Sequence, residues 1–359
     1  MPSLVRGDAT GNDVLGMQRA LVRRGWTVRL FADGGDPTLG FEPAVQARDW
    51  LQQGVPVIFH QATQWDNGFQ LLSRARGLRI VRDHNVTPAS FFENVSTDFV
   101  RASQVGERQR AQLARDSQVA WIAASEMNAG ELVRLGADRA RIAVVPPFNQ
   151  AEELARTPPD EAALRRWAAL PADVLFVGRL APNKGHRRMF RVVATYAELF
   201  QRRLRVRLVG SYDRRWSAWL ELLRRDRERL GLDGSVELVG SLTAAELHAA
   251  YLTSRLLLCC SEHEGFCVPL VEAARLGVPV VATWQAAVAE TLGPNAPVLR
   301  DASDDVVALA IDRVLRDAAL REKLVAAQAE RFADRHSDEA VERAFLAAVE
   351  PLLERAEAA

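Results

Sequence analysis

The sequence has little lysine, little cysteine and no surplus of either charge. Acidic and basic residues both number 46, so there is no net charge of the kind that attracts nucleic acid, and we expect no nucleic acid partner. Three cysteines in 359 residues are too few for a disulfide framework and indicate a reducing compartment. Lys184 and Lys323 are the only lysines, so a lysine is an unusual choice anywhere in this chain.

Long apolar segments and a common cofactor motif are also absent. No apolar run approaches the ~18 residues of a membrane span, and the N-terminus lacks the basic-then-apolar pattern of a signal peptide. We therefore expect a cytoplasmic protein. No G-x-G-x-x-G follows a strand-like run with an acid ~20 residues further on, which disfavours a dinucleotide-dependent dehydrogenase.

Short apolar runs alternate with amphipathic segments along the whole chain. Such alternation, with β-branched strands, is typical of parallel sheets covered on both faces. Five such runs occur in each half, which favours two doubly wound, Rossmann-like α/β domains over one eight-unit barrel. The ten predicted strands lie within residues 26–32, 55–60, 78–84, 119–125, 142–147, 173–180, 204–210, 235–240, 255–261 and 278–283.

The domain boundary is expected within residues 149–174, where the sequence becomes polar and contains prolines near its middle. We predict an N-terminal domain of residues 1–150 plus 340–359 and a C-terminal domain of residues 151–339. Only "SLV" precedes the first loop, "RGDATGND" (6–13), which contains Gly11, so the first strand is expected to be very short.

The stretch "FVGRLAPNKG" (176–185) places two cations in a loop between a strand and a helix. The strand is predicted to end at Gly178, and Arg179 and Lys184 follow it. In open α/β sheets, ligands bind at the carboxyl ends of the strands. Arginine offers phosphate a planar fork and lysine a compact charge, so the pair indicates a phosphate site. Two surface cations flanking a helix are the alternative interpretation.

The stretch "SEHEGFCVPLVEA" (261–273) places two carboxylates around the start of a helix. Pro269 suits the first helical turn, where a missing N–H costs nothing, and the amides before it suit an anion or sugar hydroxyls. Glu264 lies in the loop and Glu272 in the helix, too far apart for an i,i+4 pair. Because a carboxylate can accept hydrogen bonds from two neighbouring hydroxyls, we expect the two glutamates to hold different parts of one long ligand.

Together these motifs resemble the family 4 retaining glycosyltransferases, which have the GT-B fold. The shared features are a Gly-Arg–x4–Lys-Gly loop, a Glu–x7–Glu element containing Gly-Phe and Pro, and "EAARLGVPVVAT". Nearly the whole chain takes part, because "GDATGND" (7–13), "RDHNVTP" (82–88) and "VELVGSLTAAEL" (236–247) also resemble family segments. The resemblance implies two Rossmann-like domains facing across a cleft. Cys267 stands where the family usually has glycine, and its side chain could narrow the sugar pocket.

The resemblance also implies a role for each site residue. Arg179, Lys184 and Gly11 are expected to bind the donor diphosphate, and Glu272 the ribose. The transferred sugar is expected to contact Glu264 and the backbone of Gly265, Phe266 and Cys267. The base is expected to contact Gly240, Ser241 and Leu242. In addition, His84 is expected to face the sugar from the N-terminal domain.

The implied reaction moves a hexose from a nucleoside-diphosphate sugar to a glycan or lipid-linked acceptor with retention of configuration, in bacterial polysaccharide or lipopolysaccharide assembly. Peripheral contact with the inner face of the membrane is compatible with a lipid-linked acceptor. Bond cleavage builds negative charge on the leaving diphosphate, which positive groups must meet. No convincing Asp-x-Asp pair ends a strand, so we expect Arg179 and Lys184 to act without a metal or other cofactor. A sugar-nucleotide epimerase and a non-catalytic nucleotide-sugar-binding relative are the alternatives.

Two histidines end predicted strands of the N-terminal half. His84, beside Asn85, is expected to be catalytic together with Glu264, whereas His60 and Asn85 are expected to line the acceptor side. Because the nucleotide would lie mainly on the other domain, catalysis is expected to require domain closure.

Overall fold

The computed structural model describes residues 1–358, apart from the side chain of Arg214. These residues form two compact units. The first contains Met1–Ser90, Asp98–Asn149 and Arg335–Ala359, and the second contains Phe91–Thr97 and Gln150–Asp334. The predicted domains differ from these units at residues 91–97, 150 and 335–339, and residue 359 lies outside the described residues.

Every strand in the described part of the chain pairs in parallel. The strands are β1 (Ser3–Leu4), β2 (Phe31–Ala32), β3 (Gly34–Gly35), β4 (Glu42–Pro43), β5 (Val57–Gln61), β6 (Arg79–Asp83), β7 (Val119–Ala123), β8 (Ile142–Val144), β9 (Val174–Val177), β10 (Val206–Val209), β11 (Val236–Gly240), β12 (Leu257–Cys259), β13 (Val280–Thr283) and β14 (Val298–Leu299).

Helices connect the parallel strands. They are α1 (Ala9–Arg23), α2 (Ala47–Gln52), α3 (Asp66–Ser73), α4 (Thr97–Ala114), α5 (Glu126–Leu135), α6 (Ala151–Arg156), α7 (Glu161–Ala169), α8 (His186–Phe200), α9 (Ser217–Arg229), α10 (Ala244–Leu252), α11 (Val268–Arg275), α12 (Ala286–Leu292), α13 (Asp304–Arg316), α14 (Ala318–Arg335) and α15 (Asp338–Glu357). None of the helices in residues 1–358 is both long and apolar enough to cross a membrane.

The first unit contains a four-stranded sheet in the order β5-β6-β7-β8, and two small pairs, β1 with β3 and β2 with β4. As predicted, the first strand is very short, with two residues. The predicted strand at 26–32 is reduced to Phe31–Ala32. The side chain of Arg29 lies over the ring of Trp50 and pairs with Glu42, so this part of the chain is held by side chains on an exposed surface.

The second unit contains one six-stranded sheet in the order β11-β10-β9-β12-β13-β14. Counted within the unit, this is 3-2-1-4-5-6, the order of Rossmann folds, and ligands of such sheets bind where the order reverses. Here the reversal lies between β9 and β12. The prediction of two Rossmann-like α/β domains is confirmed, and the barrel alternative is wrong because the strands form separate sheets.

The core of the second unit explains why its strands are nearly continuous apolar runs. Leu175, Leu257 and Val280 on neighbouring strands are all at most 2% exposed, as expected of a parallel sheet covered on both faces. Side chains of α10, α11 and α12 belong to the same cluster of buried residues. This rigid sheet holds the loops at its carboxyl edge.

Candidate active site

Three neighbouring strands of the second sheet have a glycine at their carboxyl ends. Gly178, Gly210 and Gly240 follow or end β9, β10 and β11. Their main chains are linked, because the amide of Gly178 donates to Val209 and that of Gly210 donates to Gly240. A Cβ on Gly210 would lie 1.8 Å from the carbonyl oxygen of Gly178. Packing therefore excludes a side chain at Gly210, and all three glycines have positive φ angles, which disfavour other residues.

The two predicted phosphate-binding cations lie in the loop after β9. Arg179 is exposed, whereas the Lys184 side chain is 20% exposed and its Nζ lies 2.7 and 2.8 Å from the two carboxylate oxygens of Glu264. Burial acts to lower the pKa of Lys184, but the Glu264 carboxylate outweighs it and raises this pKa above its usual value. The lysine is therefore a fixed positive charge at the switch point of the sheet.

The loops after β9 and β12 are locked together. Gly185 has φ 68°, and a Cβ there would lie 1.8 Å from the carbonyl oxygen of Cys260. The side chain of Asn183 donates to the carbonyl of His263, and the carbonyl of Asn183 accepts from the amide of Glu262. This contact brings Lys184 to Glu264, which lies 80 residues further along the chain.

The carboxylate of Glu264 is buried and held from two sides. Its side chain is 7% exposed and accepts a 2.7 Å hydrogen bond from Ser261 in addition to the contact with Lys184. The side chain of Gln285 donates to the backbone carbonyl of Glu264. Glu264 is thus a preorganised acceptor, and Ser261 and Gln285 are supporting residues that the sequence motifs do not indicate.

The segment before α11 follows the prediction of a helix start with free amides. Pro269 lies in the first turn of the helix, and Cys267 adopts φ 80° immediately before it. The amides of Gly265 and Cys267 have no hydrogen-bond partner among the described residues. The Phe266 carbonyl accepts from the hydroxyl of Thr291, which fixes the turn. Two backbone donors thus lie at a helix N-terminus, where anions bind favourably.

Glu272 has a different environment from Glu264. The hydroxyl of Tyr251 donates a 2.7 Å hydrogen bond to its carboxylate. Burial raises the pKa of Glu272 above its usual value, although this hydrogen bond opposes the shift. One glutamate of the motif therefore faces a cation and the other a neutral hydroxyl, which agrees with different roles for the two.

The predicted base-binding residues follow β11. Ser241 is exposed and Leu242 half-buried, and the helix α10 starts directly after them with a capping box formed by Thr243 and Glu246. This cap stabilises the helix start and fixes the preceding turn. Gly240 to Leu242 therefore lie on the same sheet edge as Arg179 and Lys184.

In the first unit, the end of β6 carries a buried cluster around Asp13 of α1. Asp13 is fully buried, and its carboxylate accepts hydrogen bonds from Arg82 at 2.7 Å, His84 at 2.6 Å and the Phe148 amide at 2.8 Å. His60 lies 3.6 Å from the same carboxylate, and its ring lies 4.4 Å from that of His84. The strand ends thus hold the predicted His84 in a network whose centre, Asp13, the sequence motifs do not indicate.

Ligand atoms of Asp13, His60 and His84 lie within 4.8 Å of one another, a spacing compatible with a metal ion. The guanidinium of Arg82, however, already occupies both oxygens of the carboxylate. A divalent cation beside this buried guanidinium would have to overcome strong repulsion at low dielectric. The cluster therefore fits a hydrogen-bonded network better than a metal centre.

Two residues predicted for the acceptor side are turned into the protein. His60 is 3% exposed, and burial lowers its pKa to about 3, with the neighbouring His84 contributing. Asn85, 6% exposed, donates to Asn128 and Glu131 and accepts from the amide of Val86. Both side chains therefore expose little surface here, and the acceptor-side assignment of His60 and Asn85 stays a prediction.

Gly11 also differs from the prediction. It lies inside α1 rather than in the preceding loop, and a Cβ there would come 1.9 Å from the carbonyl oxygen of Val5. Packing against the chain itself is sufficient to require glycine. A phosphate contact of Gly11 stays a prediction without geometric support from this loop.

Comparisons with known proteins agree with this geometry. Residues 166–331 match the family model for glycosyl transferases group 1, so this segment of the chain is similar to a glycosyltransferase domain. The chain is 33% identical, over 191 residues, to D-inositol 3-phosphate glycosyltransferase 2 of Catenulispora acidiphila. That match covers 50% of this chain and 43% of the relative, so the similarity spans less than half the length of the curated relative.

Solved structures resemble the chain over nearly its whole length. HepE of Anabaena, determined in complex with UDP and glucose, has a TM-score of 0.76 at 16% identity, covering 98% of this chain and 100% of that chain. WaaG, a glycosyltransferase involved in lipopolysaccharide biosynthesis, has a TM-score of 0.71 at 14% identity, covering 97% and 98%. These likenesses confirm the predicted GT-B fold.

Proposed function

We propose, from the similarity of residues 166–331 to a glycosyltransferase domain, that the whole protein is a retaining glycosyltransferase of family 4. It transfers a hexose from a nucleoside-diphosphate sugar to a glycan or lipid-linked acceptor. The observation that carries the proposal is the placement of Lys184 against Glu264 at the point where the strand order of the second sheet reverses. Ligands bind at this point in open α/β sheets.

The donor diphosphate lies on Arg179, Lys184 and the free amides before α11. When the glycosyl–phosphate bond breaks, negative charge grows on the leaving diphosphate, and preorganised cations stabilise that charge. Retention of configuration is expected if the acceptor attacks from the face that the phosphate leaves, with the leaving phosphate taking the acceptor proton. No protein side chain then has to act as the nucleophile.

The two glutamates hold the two sugar rings of the donor. Glu272, which already accepts a hydroxyl hydrogen bond from Tyr251, accepts from the ribose. Glu264 accepts from the transferred hexose, and the backbone of Gly240 to Leu242 receives the base. The first unit contributes His84 to the transferred sugar.

The names of the relatives suggest which substrates to test first. HepE was crystallised with UDP and glucose, which supports UDP-hexoses as donors. WaaG takes part in lipopolysaccharide biosynthesis, which supports assembly of a bacterial polysaccharide or lipopolysaccharide, on the cytoplasmic face of the membrane when the acceptor is lipid-linked.

A thermal-shift screen against UDP, GDP, ADP and uridine tests the donor site, because a ligand that binds the folded protein raises its melting temperature by mass action. We expect a diphosphate to stabilise and uridine to have little effect. The matching sugar nucleotide should then give a transfer product with a glycan acceptor. Turnover with the donor alone would indicate an epimerase, and binding without turnover would indicate a non-catalytic relative.

The glutamate assignment predicts separate effects for Glu264→Gln and Glu272→Gln. The Glu272 variant should bind free UDP and UDP-sugar about tenfold less tightly, because a hydrogen bond to a charged group contributes ~1.5–3 kcal/mol. The Glu264 variant should bind free UDP normally and lose turnover by a similar factor. Calorimetry and initial rates measure the two effects.

The exposed neighbour Glu262 provides the matched control, because Glu262→Gln should change neither binding nor turnover. The opposite pattern for Glu264 and Glu272 would mean that their assignments are exchanged.

Transfer is expected to continue in EDTA. Arg179 and Lys184 supply the charge that a divalent ion supplies elsewhere, so chelation should change the rate by less than about twofold. The rate is measured after dialysis against EDTA, with and without added Mg²⁺ or Mn²⁺. A complete loss that the metal reverses would contradict the proposal.

A further inference from the structure

We infer that Asp13 is a positioning residue for this reaction: its buried carboxylate fixes the orientation and the tautomer of the His84 ring. The inference rests on the proposed function, in which His84 meets the transferred sugar. Asp13 itself touches no substrate and acts through the histidine.

The contact that carries the inference is the 2.6 Å hydrogen bond between Nε2 of His84 and Oδ2 of Asp13. Asp13 is fully buried, and only 9% of the His84 side chain is exposed. Arg82 donates to both oxygens of the same carboxylate, at 2.7 and 3.3 Å. The Phe148 amide donates to the remaining position at 2.8 Å. Asp13 is therefore surrounded by donors and has no freedom to turn away.

The charge state of Asp13 determines which ring nitrogen of His84 carries hydrogen. Burial acts to raise the pKa of Asp13, but the charge of Arg82 and the hydrogen bond from His84 outweigh it and hold this pKa well below its usual value. A carboxylate can only accept hydrogen bonds, so Nε2 of His84 must be the donor. In the neutral ring, Nδ1 is then an acceptor, and within residues 1–358 it has no hydrogen-bond partner.

The surrounding elements prevent the ring from taking another orientation. The guanidinium of Arg82 also donates to the carbonyl of Val145, so α1, β6 and the segment after β8 meet at Asp13. The ring of His60 packs on that of His84 at 4.4 Å. The fixed Nδ1 can accept a hydrogen bond from a sugar hydroxyl. Side chains that are held by packing and hydrogen bonds keep the geometry that a site requires.

The first test is independent of activity. In the pH range where the ring is neutral, protein labelled with ¹⁵N-histidine should show His84, identified by the signal missing in His84→Gln, with hydrogen on Nε2 and not on Nδ1. Hydrogen on Nδ1, or a mixture of the two tautomers, would overturn the inference. A wild-type protein without transferase activity would contradict the proposed function but leave this result valid.

The second test is kinetic and uses Asp13→Asn. We expect the donor KM to stay within about twofold and kcat to fall about tenfold or more, because the ring is misplaced while the nucleotide site is unchanged. In a His84→Ala background the same substitution should cause no further fall in kcat, since interacting residues are non-additive. A further fall of similar size there would overturn the inference.

Asp116→Asn is the matched control. Asp116, in the loop before β7, pairs at 2.7 Å with Arg79 of β6 and lies outside the cluster, so its loss should leave kcat unchanged. If Asp13→Asn does not fold, the nitrogen signals of the wild-type protein still decide the question.

Discussion

Replacing His84 with alanine is expected to lower turnover about 10²-fold and leave nucleotide binding within about twofold. The proposed nucleotide contacts all belong to the second unit, whereas His84 directly follows β6 of the first. Its hydrogen bond to the transferred sugar would strengthen as the bond to the diphosphate breaks, so its loss affects kcat more than affinity. Initial rates and calorimetry with UDP measure the two quantities.

His84→Gln is the matched variant. Glutamine can still donate a hydrogen bond to Asp13 through its amide, so the buried cluster keeps its central carboxylate paired, but it cannot present the imidazole Nδ1. We expect this variant to melt near the wild-type temperature and to be nearly as inactive as the alanine variant. Near-normal turnover in either variant would show that His84 is a structural residue.

Replacing Lys184 with alanine is expected to weaken UDP binding about 10- to 100-fold, from the loss of a charge-assisted contact. The substitution has a second effect, because Glu264 is 7% exposed and would be left as an unpaired carboxylate beside the phosphates. Uridine, which has no phosphates, should bind as before. Calorimetry with both ligands measures the difference.

The double variant Lys184→Ala, Glu264→Gln separates the two effects. It removes the unpaired charge, so UDP should bind more tightly than to the single lysine variant. Lys323→Ala is the control, because the other lysine of the chain is exposed on α14 and should not affect any ligand. Equal losses for UDP and uridine would mean that Lys184 has a structural role only.

Much of the second unit could be predicted because its strands and its site residues are indicated by short, continuous stretches of sequence. Each buried strand is a short apolar run, and the cations and carboxylates lie within a few residues of the strand ends that position them. The ion pair of Lys184 with Glu264 could not be predicted, because it depends on the contact of two loops 80 residues apart.

The first unit was less predictable because its cluster joins distant segments. Asp13 lies in an amphipathic helix, where a lone acid is usually solvated, and its partners Arg82 and Phe148 follow 69 and 135 residues later. Arg82 is a charge inside a strand and is 1% exposed, which no periodicity indicates. His60 and His84 both lie at the carboxyl ends of their strands, and only the folded structure shows that His84 hydrogen-bonds to Asp13 whereas His60 lies 3.6 Å from it.

The last helix of the first unit has a consequence for synthesis on the ribosome. Helix α15 covers α1 and the sheet with Val341, Phe345 and Val349, all at most 1% exposed. These residues are translated after the entire stretch 150–334, and at ~5–20 residues per second the delay is roughly 10–40 s. The second unit can fold during that interval, whereas α1 and the sheet of the first unit still lack the residues of α15 that complete their core. The nascent chain therefore completes its first unit last. We expect chaperones to bind mainly the apolar surface of that unit before α15 is made.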